Sequence, residues 1–329
     1  MSRPRVGFLG TGWIGRHRMQ AIVAGGAVEA VAVADPDPEC AAQAANLAPG
    51  AAVLPSLEAL LDHGLDGLVI ATPSALHAEQ AIAALNRGIA VFCQKPLGRN
   101  EGEARRVIEA ARRAGRLLAV DLSYRRTAAV EAIAGPIRSG ELGEIFAVDL
   151  AFHNAYGPDK PWFYDRTLSG GGCVIDLGVH LVDLALWLLD FPAVERVQSR
   201  LFAGGQRLSA SSSEVEDYAL ATLDLAGGTA VRLACSWHLH AGRDAAIEAD
   251  FHGTQGSVSI RNVGGSFYDF EAHRHRGTST ERLAAPPDDW GGRAAAAWAE
   301  RLARDPSFDA DALQLAEVSA VLDRIYAGG

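Results

Sequence analysis

The chain has 329 residues, 49% of them hydrophobic and 21% charged, enough to bury a large core and to divide into two domains. Its formal net charge of −10 argues against a nucleic-acid backbone or an anionic membrane as partner, and no Lys/Arg cluster offsets it. Cys40, Cys93, Cys173 and Cys235 show no paired spacing, which fits reduced thiols in a cytoplasmic protein rather than a disulfide frame or a zinc site. The first apolar run is cut by Gly7, Gly10 and Gly12 and makes a poor signal peptide. No later run is expected to reach membrane-spanning length.

Arg5–Leu9 reads as a strand that enters Gly10-Thr11-Gly12-Trp13-Ile14-Gly15 and then a helix to about Val23. The following strand, Val28–Ala34, ends in Asp35, twenty positions beyond Gly15. Glycines at that spacing permit a tight turn and let a pyrophosphate rest on a helix N-terminus, while the carboxylate accepts both ribose hydroxyls of an adenosine. Asp35 and the nearby Asp37 would repel a 2′-phosphate, so NAD is expected and NADP disfavoured. Strands at Ala52–Leu54, Gly67–Ala71, Ala90–Cys93 and Leu117–Asp121 alternate with helices at Ser56–Asp62, Ser74–Asn86 and Asn100–Ala114. This alternation predicts a parallel, doubly wound sheet whose ligands lie at the carboxyl ends of its strands. Two such ends stand out. Thr72-Pro73-Ser74 follows one strand, with Ser74 as the expected N-cap and His77 one turn later. Gln94-Lys95-Pro96 follows another, with the lysine charge aimed into the crevice.

From Tyr124 the pattern changes. A helix is expected over Ala128–Ser139, then a strand over Ile145–His153 with Asp149 and His153 on one face. His153 and Asn154 end that strand, and an irregular stretch holds Tyr156, Trp162, Phe163 and Tyr164, either a stacking wall for a sugar ring or a small satellite core. Gly171–Asp190 opens on glycines and continues as an apolar helix, on which Asp176, His180 and Asp183 recur at offsets of four and three. One helical face therefore carries two carboxylates and an imidazole, which must meet a ligand or a paired polar network. Val194–Phe202, Val215–Leu225, Thr229–His238, Ala246–His252, Ser257–Ile260 and Phe267–Phe270 read as successive strands, hence a large, mainly antiparallel sheet. One face would pack the helix; the other, free and with apolar content, would invite a symmetric partner, giving a homodimer or homotetramer. His238/His240 and His273/His275 have same-face strand spacing, but nothing completes a metal site and none is expected. Helices at Ala294–Ala303 and Ala310–Tyr326 close the chain.

In these motifs the chain resembles the glucose–fructose oxidoreductase / inositol dehydrogenase (Gfo/Idh/MocA) family: Gly10 to Gly15, Ala71-Thr72-Pro73 with His77, Lys95-Pro96, and Gly170-Gly171-Gly172 leading to Asp176-Leu177-Gly178-Val179-His180. The resemblance implies an α/β Rossmann domain over 1–123 and an α+β substrate and oligomerisation domain over 124–329. It also implies that Lys95 and His180 are the catalytic pair and that Asp176 binds substrate and orients His180. Gln94 departs from the Glu that the family usually carries before Lys-Pro. The candidate cofactor contacts are Gly10, Gly12, Trp13, Ile14, Gly15, Asp35, Thr72, Pro73, His77, Gln94 and Lys95. The candidate substrate contacts are Lys95, Tyr124, His153, Asn154, Trp162, Asp176 and His180. The expected activity is NAD-dependent hydride transfer from a secondary alcohol of a sugar, cyclitol or related polyol, with either His180 or Lys95 as proton acceptor. A glycosidase that oxidises its sugar transiently with bound NAD would share these motifs. A non-catalytic NAD-sensing regulator would not need Lys95 and His180.

Overall fold

The computed structural model describes residues 2–209 and 212–328. The chain forms two units, Met1–Ser123 with Gly291–Ala316, and Tyr124–Trp290 with Glu317–Gly329.

The first unit alternates β1 (Arg5–Leu9), α1 (Trp13–Gly25), β2 (Glu29–Ala34), α2 (Pro38–Ala45), β3 (Ala52–Val53), α3 (Leu57–Leu61), β4 (Gly67–Ile70), α4 (Ser74–Asn86), β5 (Ala90–Cys93), α5 (Glu101–Ala114) and β6 (Leu118–Val120). The strands pair in parallel in the order β3-β2-β1-β4-β5-β6. Period two sends alternate side chains to opposite faces. Leu68, Ile70, Val91 and Cys93 pack with Ala81, Leu85, Val107 and Ala111 of α4 and α5. Phe8, Val69 and Phe92 pack on the other face with Met19 and Ile22 of α1 and with Trp298 and Leu302 of the helix Arg293–Arg304. That helix belongs to this unit, although the sequence reading assigns all of 124–329 to the second domain. What admits it is Gly67, where an added Cβ would meet Trp298 Cη2 at 2.8 Å and Leu302 Cδ2 at 2.7 Å. The unexpected α2 is short and Ala-rich, with no apolar period to reveal it; Asp37 starts it by accepting from the Glu39 N–H at 2.9 Å. The strand order reverses at β1, and the crevice at such a switch point is where ligands bind in open α/β sheets.

The second unit contains α6 (Ala128–Arg138), β7 (Ile145–Asn154), α7 (Arg166–Ser169), a π-helical turn over Val174–Gly178, α8 (Val179–Leu188), and then β8 (Val194–Ala203), β9 (Gln206–Arg207), β10 (Tyr218–Leu225), β11 (Ala230–Ser236), β12 (Ala245–Gly253), β13 (Ser257–Asn262), β14 (Phe270–Arg276) and β15 (Ser279–Ala284). These strands form one sheet, β15-β14-β13-β12-β7-β11-β10-β8-β9, antiparallel except for β7 with β11. Val148, Leu150 and Phe152 of β7 and Ala219, Ala221 and Leu223 of β10 meet Leu181, Leu184 and Leu188 of α8 and Ile133 and Ile137 of α6.

Four expectations need correction here. The last expected strand begins at Phe270 rather than ending there, and β15 follows it. β11 stops at Ser236, so His238 (φ 60°) and His240 lie on a loop and not on a strand. The sheet face away from α8 has apolar content, with Leu220 39% exposed, but also ion pairs that were not expected, Arg232 with Asp149 at 2.7 Å and Arg261 with Asp250 at 2.6 Å. Finally, Arg166–Leu188, with mean hydropathy 1.6, is apolar and long enough for a membrane span, but 89% of that window is buried inside the protein. It is a core helix.

Candidate active site

In the first unit the carboxyl ends of β1, β4 and β5, three adjacent strands, carry the glycine turn, Thr72 and Lys95. Gly10 takes φ +80°, and a Cβ there would sit 2.6 Å from the Ala71 carbonyl oxygen. A Cβ on Gly15 would sit 2.1 Å from the Gly10 carbonyl oxygen, so only glycine lets α1 start this close to the turn. Gly12 caps α1 with nothing within 4 Å of its would-be Cβ, and neither a side-chain cap nor an acidic first turn occupies the helix start. Main-chain N–H groups left open at a helix N-terminus suit a pyrophosphate, and this cradle fits a dinucleotide. Beside it, Trp13 is 63% exposed and stacks on His17, with Ile14 half-buried. Asp35 accepts from the Thr11 N–H at 2.5 Å through one oxygen and from the Asp37 N–H at 2.9 Å through the other. Its carboxylate is thereby locked against the turn, with lone pairs remaining for ribose hydroxyls.

The next two strand ends are braced to each other. Pro73, rather than Ser74, occupies the N-cap of α4, and no side chain caps it. Thr72 donates its hydroxyl to Gln80 Oε1 at 2.6 Å. His77 is 1% exposed, its Nε2 lies 2.7 Å from the Thr72 carbonyl oxygen and its Nδ1 lies 2.7 Å from the Pro96 carbonyl oxygen. Burial pushes this imidazole below its ordinary pKa against the pull of those carbonyls, and the Lys95 charge adds to the depression. With both nitrogens spent on main chain, His77 serves as a strut between the Thr72 and Lys95 turns, not as a contact that reaches a ligand. The Lys95–Pro96 peptide is cis and Lys95 is half-buried.

Gln94 explains its own departure from the family pattern. Its side-chain amide donates to Asp121 Oδ2, which also accepts from Arg18 Nε at 2.5 Å. Ser123 donates to Asp121 Oδ1 at 2.5 Å. Asp121 is 1% exposed, and three donors replace its lost hydration. A glutamate at position 94 would set a second carboxylate against it.

The second unit brings together Tyr124, Asp176 and His180. Asp176 lies within the π-helical turn and His180 one turn further on, 8% exposed. The Tyr124 ring packs on His180 at 4.8 Å between centroids, and Phe152 lies 6.3 Å from it. Burial pushes the Tyr124 phenol up, with the Asp176 charge acting in the same direction. Trp237, which follows β11, donates its indole N–H to Asp176 Oδ2 at 3.1 Å. Phe163 and Tyr164 present their edges to the Trp237 ring at 6.3 and 5.6 Å, and Trp162 stacks on Phe163 at 3.8 Å. The aromatic segment is thus a small cluster seated against Asp176.

Asp183 turns away from this chemistry. Arg125 grips it bidentately, with Nε at 2.8 Å and Nη2 at 2.5 Å, and stacks on Trp187 and Phe191. His153 is not brought to the group either. It shares its sheet face with Asp149, stacks on Tyr218 and bonds Ser236 Oγ at 2.8 Å, on the side away from Phe152. Asn154, the next residue, has a buried Oδ1 with no hydrogen-bond donor.

The glycines before the helix have a packing role. Added Cβ atoms would sit 1.9 Å from the Tyr326 hydroxyl at Gly171 and 1.9 Å from the Glu216 carbonyl oxygen at Gly172. The buried Glu216 carboxylate accepts from the Gly172 and Val174 N–H groups at 2.9 Å and from the Tyr326 hydroxyl at 2.9 Å. Sequence reasoning missed Asp121, Arg125, Glu216, Trp237 and Tyr326. Each acts on a partner far along the chain, where no local spacing could signal it.

Residues 4–122 match the family model described as oxidoreductase family, NAD-binding Rossmann fold, and residues 130–259 match the GFO/IDH/MocA C-terminal domain. A putative UDP-kanosamine synthase oxidoreductase subunit of Amycolatopsis mediterranei is 35% identical over 272 residues, 78% of this chain and 75% of that protein. Levoglucosan dehydrogenase of Pseudarthrobacter phenanthrenivorans is 30% identical over 254 residues, 69% of this chain and 63% of that protein. The crystal structure of GenD2 from gentamicin A biosynthesis, in complex with NAD, superposes with a TM-score of 0.80 at 25% identity, covering 100% of this chain and 94% of that one. The chain is a member of the GFO/IDH/MocA family of oxidoreductases, with an NAD-binding Rossmann fold.

Proposed function

We propose that this oxidoreductase removes hydride from a secondary alcohol of a sugar, cyclitol or related polyol, with NAD as acceptor. The observation that carries the proposal is the placement of the open glycine cradle, Thr72 and Lys95 on three adjacent strand ends of one sheet. NAD, when bound, supplies the hydride acceptor. Gly10, Gly12 and Gly15 hold its pyrophosphate, flanked by Trp13 and Ile14, and Asp35 accepts its ribose hydroxyls. Thr72 and Pro73 shape the wall past which it runs.

On the substrate side, His180 takes the proton of the reacting hydroxyl and Lys95 donates a hydrogen bond to the oxygen as charge develops there. Asp176 accepts from a neighbouring hydroxyl. The buried, donorless Oδ1 of Asn154 is an acceptor that a further sugar hydroxyl would satisfy. Trp162 offers a face for the ring. The names of two relatives, levoglucosan dehydrogenase and the putative UDP-kanosamine synthase oxidoreductase subunit, support a carbohydrate substrate. Assembly as a homodimer or homotetramer through the uncovered sheet face belongs to the same proposal. So does a cytoplasmic location, to which the four free cysteines conform.

The test is a panel of sugars and polyols with NAD and NADP in parallel, read by NADH absorbance and by product analysis. One or more alcohols should give stoichiometric NADH and ketone, and Lys95→Ala and His180→Ala should each lower kcat by about 10²–10⁴-fold. Unchanged turnover in both variants, or sugar release without net NADH, overturns it.

A further inference from the structure

Trp237 is 3% exposed, among the most enclosed aromatic side chains of the second unit. Its main-chain N–H donates to the Asp217 carbonyl oxygen at 2.7 Å, and the next residue, His238, turns the chain with φ 60°. Backbone and ring are therefore both fixed, and the one polar atom of the side chain meets Asp176 Oδ2 at 3.1 Å. The ring is also the surface on which Phe163 and Tyr164 rest. An indole N–H is a donor only, with no acceptor capacity, and a carboxylate oxygen is the stronger acceptor for it.

We propose that Trp237 is a positioning residue. Its N–H aims and holds the Asp176 carboxylate, and its ring ties the aromatic segment Pro161–Tyr164 to that same carboxylate. The role in turnover rests on the reading of Asp176 as a substrate ligand; the N–H contact does not. The groups on which the Asp176 charge acts include Tyr124 from before α6, Tyr164 from the aromatic segment and Cys173 from the start of the helical stretch, and His180 follows one turn on. Tyr124, Tyr164 and Cys173 are neutral near pH 7 at their ordinary pKa values, which burial raises further, with Cys235 next for Cys173 and the Asp176 charge acting in the same direction on all three.

The deciding measurement is NMR on the intact protein without added ligand. The indole N–H resonance of Trp237, assigned by its loss in Trp237→Phe, should lie downfield, and Asp176→Asn should shift it upfield while the other indoles stay in place. Trp237→Phe keeps a ring for Phe163 and Tyr164 but removes the donor, and the Asp176 13C-carboxyl resonance at fixed pH should move. With the alcohol that gives turnover, KM should rise about tenfold while the Kd for NADH stays unchanged. An indole resonance indifferent to Asp176→Asn overturns the proposal, even where Trp237→Phe fails to fold. So does an Asp176 13C-carboxyl resonance that stays in place at fixed pH in a folded Trp237→Phe protein. If instead the resonance shifts but Asp176→Asn turns over normally, the contact stands and the catalytic reading of Asp176 falls.

Discussion

The variant Gln94→Glu restores the residue that the family usually carries, and in this chain it should be destabilising in a pH-dependent way. Asp121 is 1% exposed and bonded by Gln94, Arg18 and Ser123. A glutamate at 94 removes one donor and adds a like charge. Two carboxylates about 4 Å apart repel by about 4 kcal/mol at an effective dielectric near 20. The alternative is to hold one proton, which at pH 7 costs about 4 kcal/mol for a carboxyl of ordinary pKa near 4.3. Because Arg18 offsets part of the repulsion, a net loss of about 3 kcal/mol at pH 7 is expected.

The folded variant then binds a proton that the unfolded chain releases. Its stability relative to the parent falls as pH rises above about 4.3 and recovers on acidification. At pH 5 the proton costs only about 1 kcal/mol. At about 2 °C per kcal/mol for a chain of this size, the melting temperature should drop by about 6 °C at pH 7 and about 2 °C at pH 5. Gln94→Leu, which loses the donor but adds no charge, should lose about 1–2 kcal/mol at both pH values. Thermal melts of the three proteins at the two pH values decide the matter. An equal loss for Gln94→Glu at pH 5 and pH 7, or none at all, refutes the assignment of Gln94 as donor to an ionised Asp121.

Gly172→Ala drives a Cβ to 1.9 Å from the Glu216 carbonyl oxygen; overpacking of backbone should cost about 3 kcal/mol or more, visible as a fallen melting temperature or insoluble protein. Asp35→Ser removes the repulsion toward a 2′-phosphate and one charged acceptor for the ribose. The Kd for NAD should rise about tenfold and that for NADP should fall by at least as much, and calorimetry with both cofactors measures the ratio. His77→Phe fills the buried volume but frees the Thr72 and Pro96 carbonyls; a loss of about 2 kcal/mol and weaker NAD binding are expected. A variant as stable as the parent would show that the strut between the two turns is dispensable.

Most of the first unit was legible because its signals are local. Gly10, Gly12, Gly15 and Asp35 lie within one βαβ stretch, and Asn100 and Gly115 mark the ends of α5 as cap and left-handed stop. The placement of Asp176 and His180 on one helical stretch was legible for the same reason, since they lie within a turn of each other. Asp183 lay on the same pattern, yet its partner is Arg125, 58 positions away, and nothing local distinguishes an acid facing a ligand from one facing an arginine. The face of His153 was read correctly as that of Asp149, but which side of the sheet the helix covers depends on Val148, Leu150 and Phe152 facing the core together. The ion pairs on the face opposite follow from cross-strand neighbours such as Asp149 and Arg232, which register alone brings together. Helix Arg293–Arg304 was placed in the wrong half because the space it fills is made by a missing Cβ at Gly67.

The chain carries two glycine-rich helix starts that look alike in sequence and serve opposite ends. At Gly10–Gly15 the glycines bring turn and helix close while the first turn of α1 has no side-chain cap and space stands open above Gly12. At Gly170–Gly172 they bring the helical stretch against Glu216 and Tyr326, and the N–H groups of Gly172 and Val174 go to the Glu216 carboxylate. Burial pushes that carboxyl up in pKa, against the pull of the Val174, Tyr326 and Gly172 donors. A helix start whose donors are already taken by an internal carboxylate cannot also hold a phosphate, since each N–H is spent once. The open start is therefore the one fitted to a dinucleotide, and the closed one is fitted to stillness. By fixing the first residues of the helical stretch from within the core, Glu216 leaves Asp176 and His180 on a rigid support, which the roles proposed for them above, on adjacent hydroxyls, would require for a repeatable geometry.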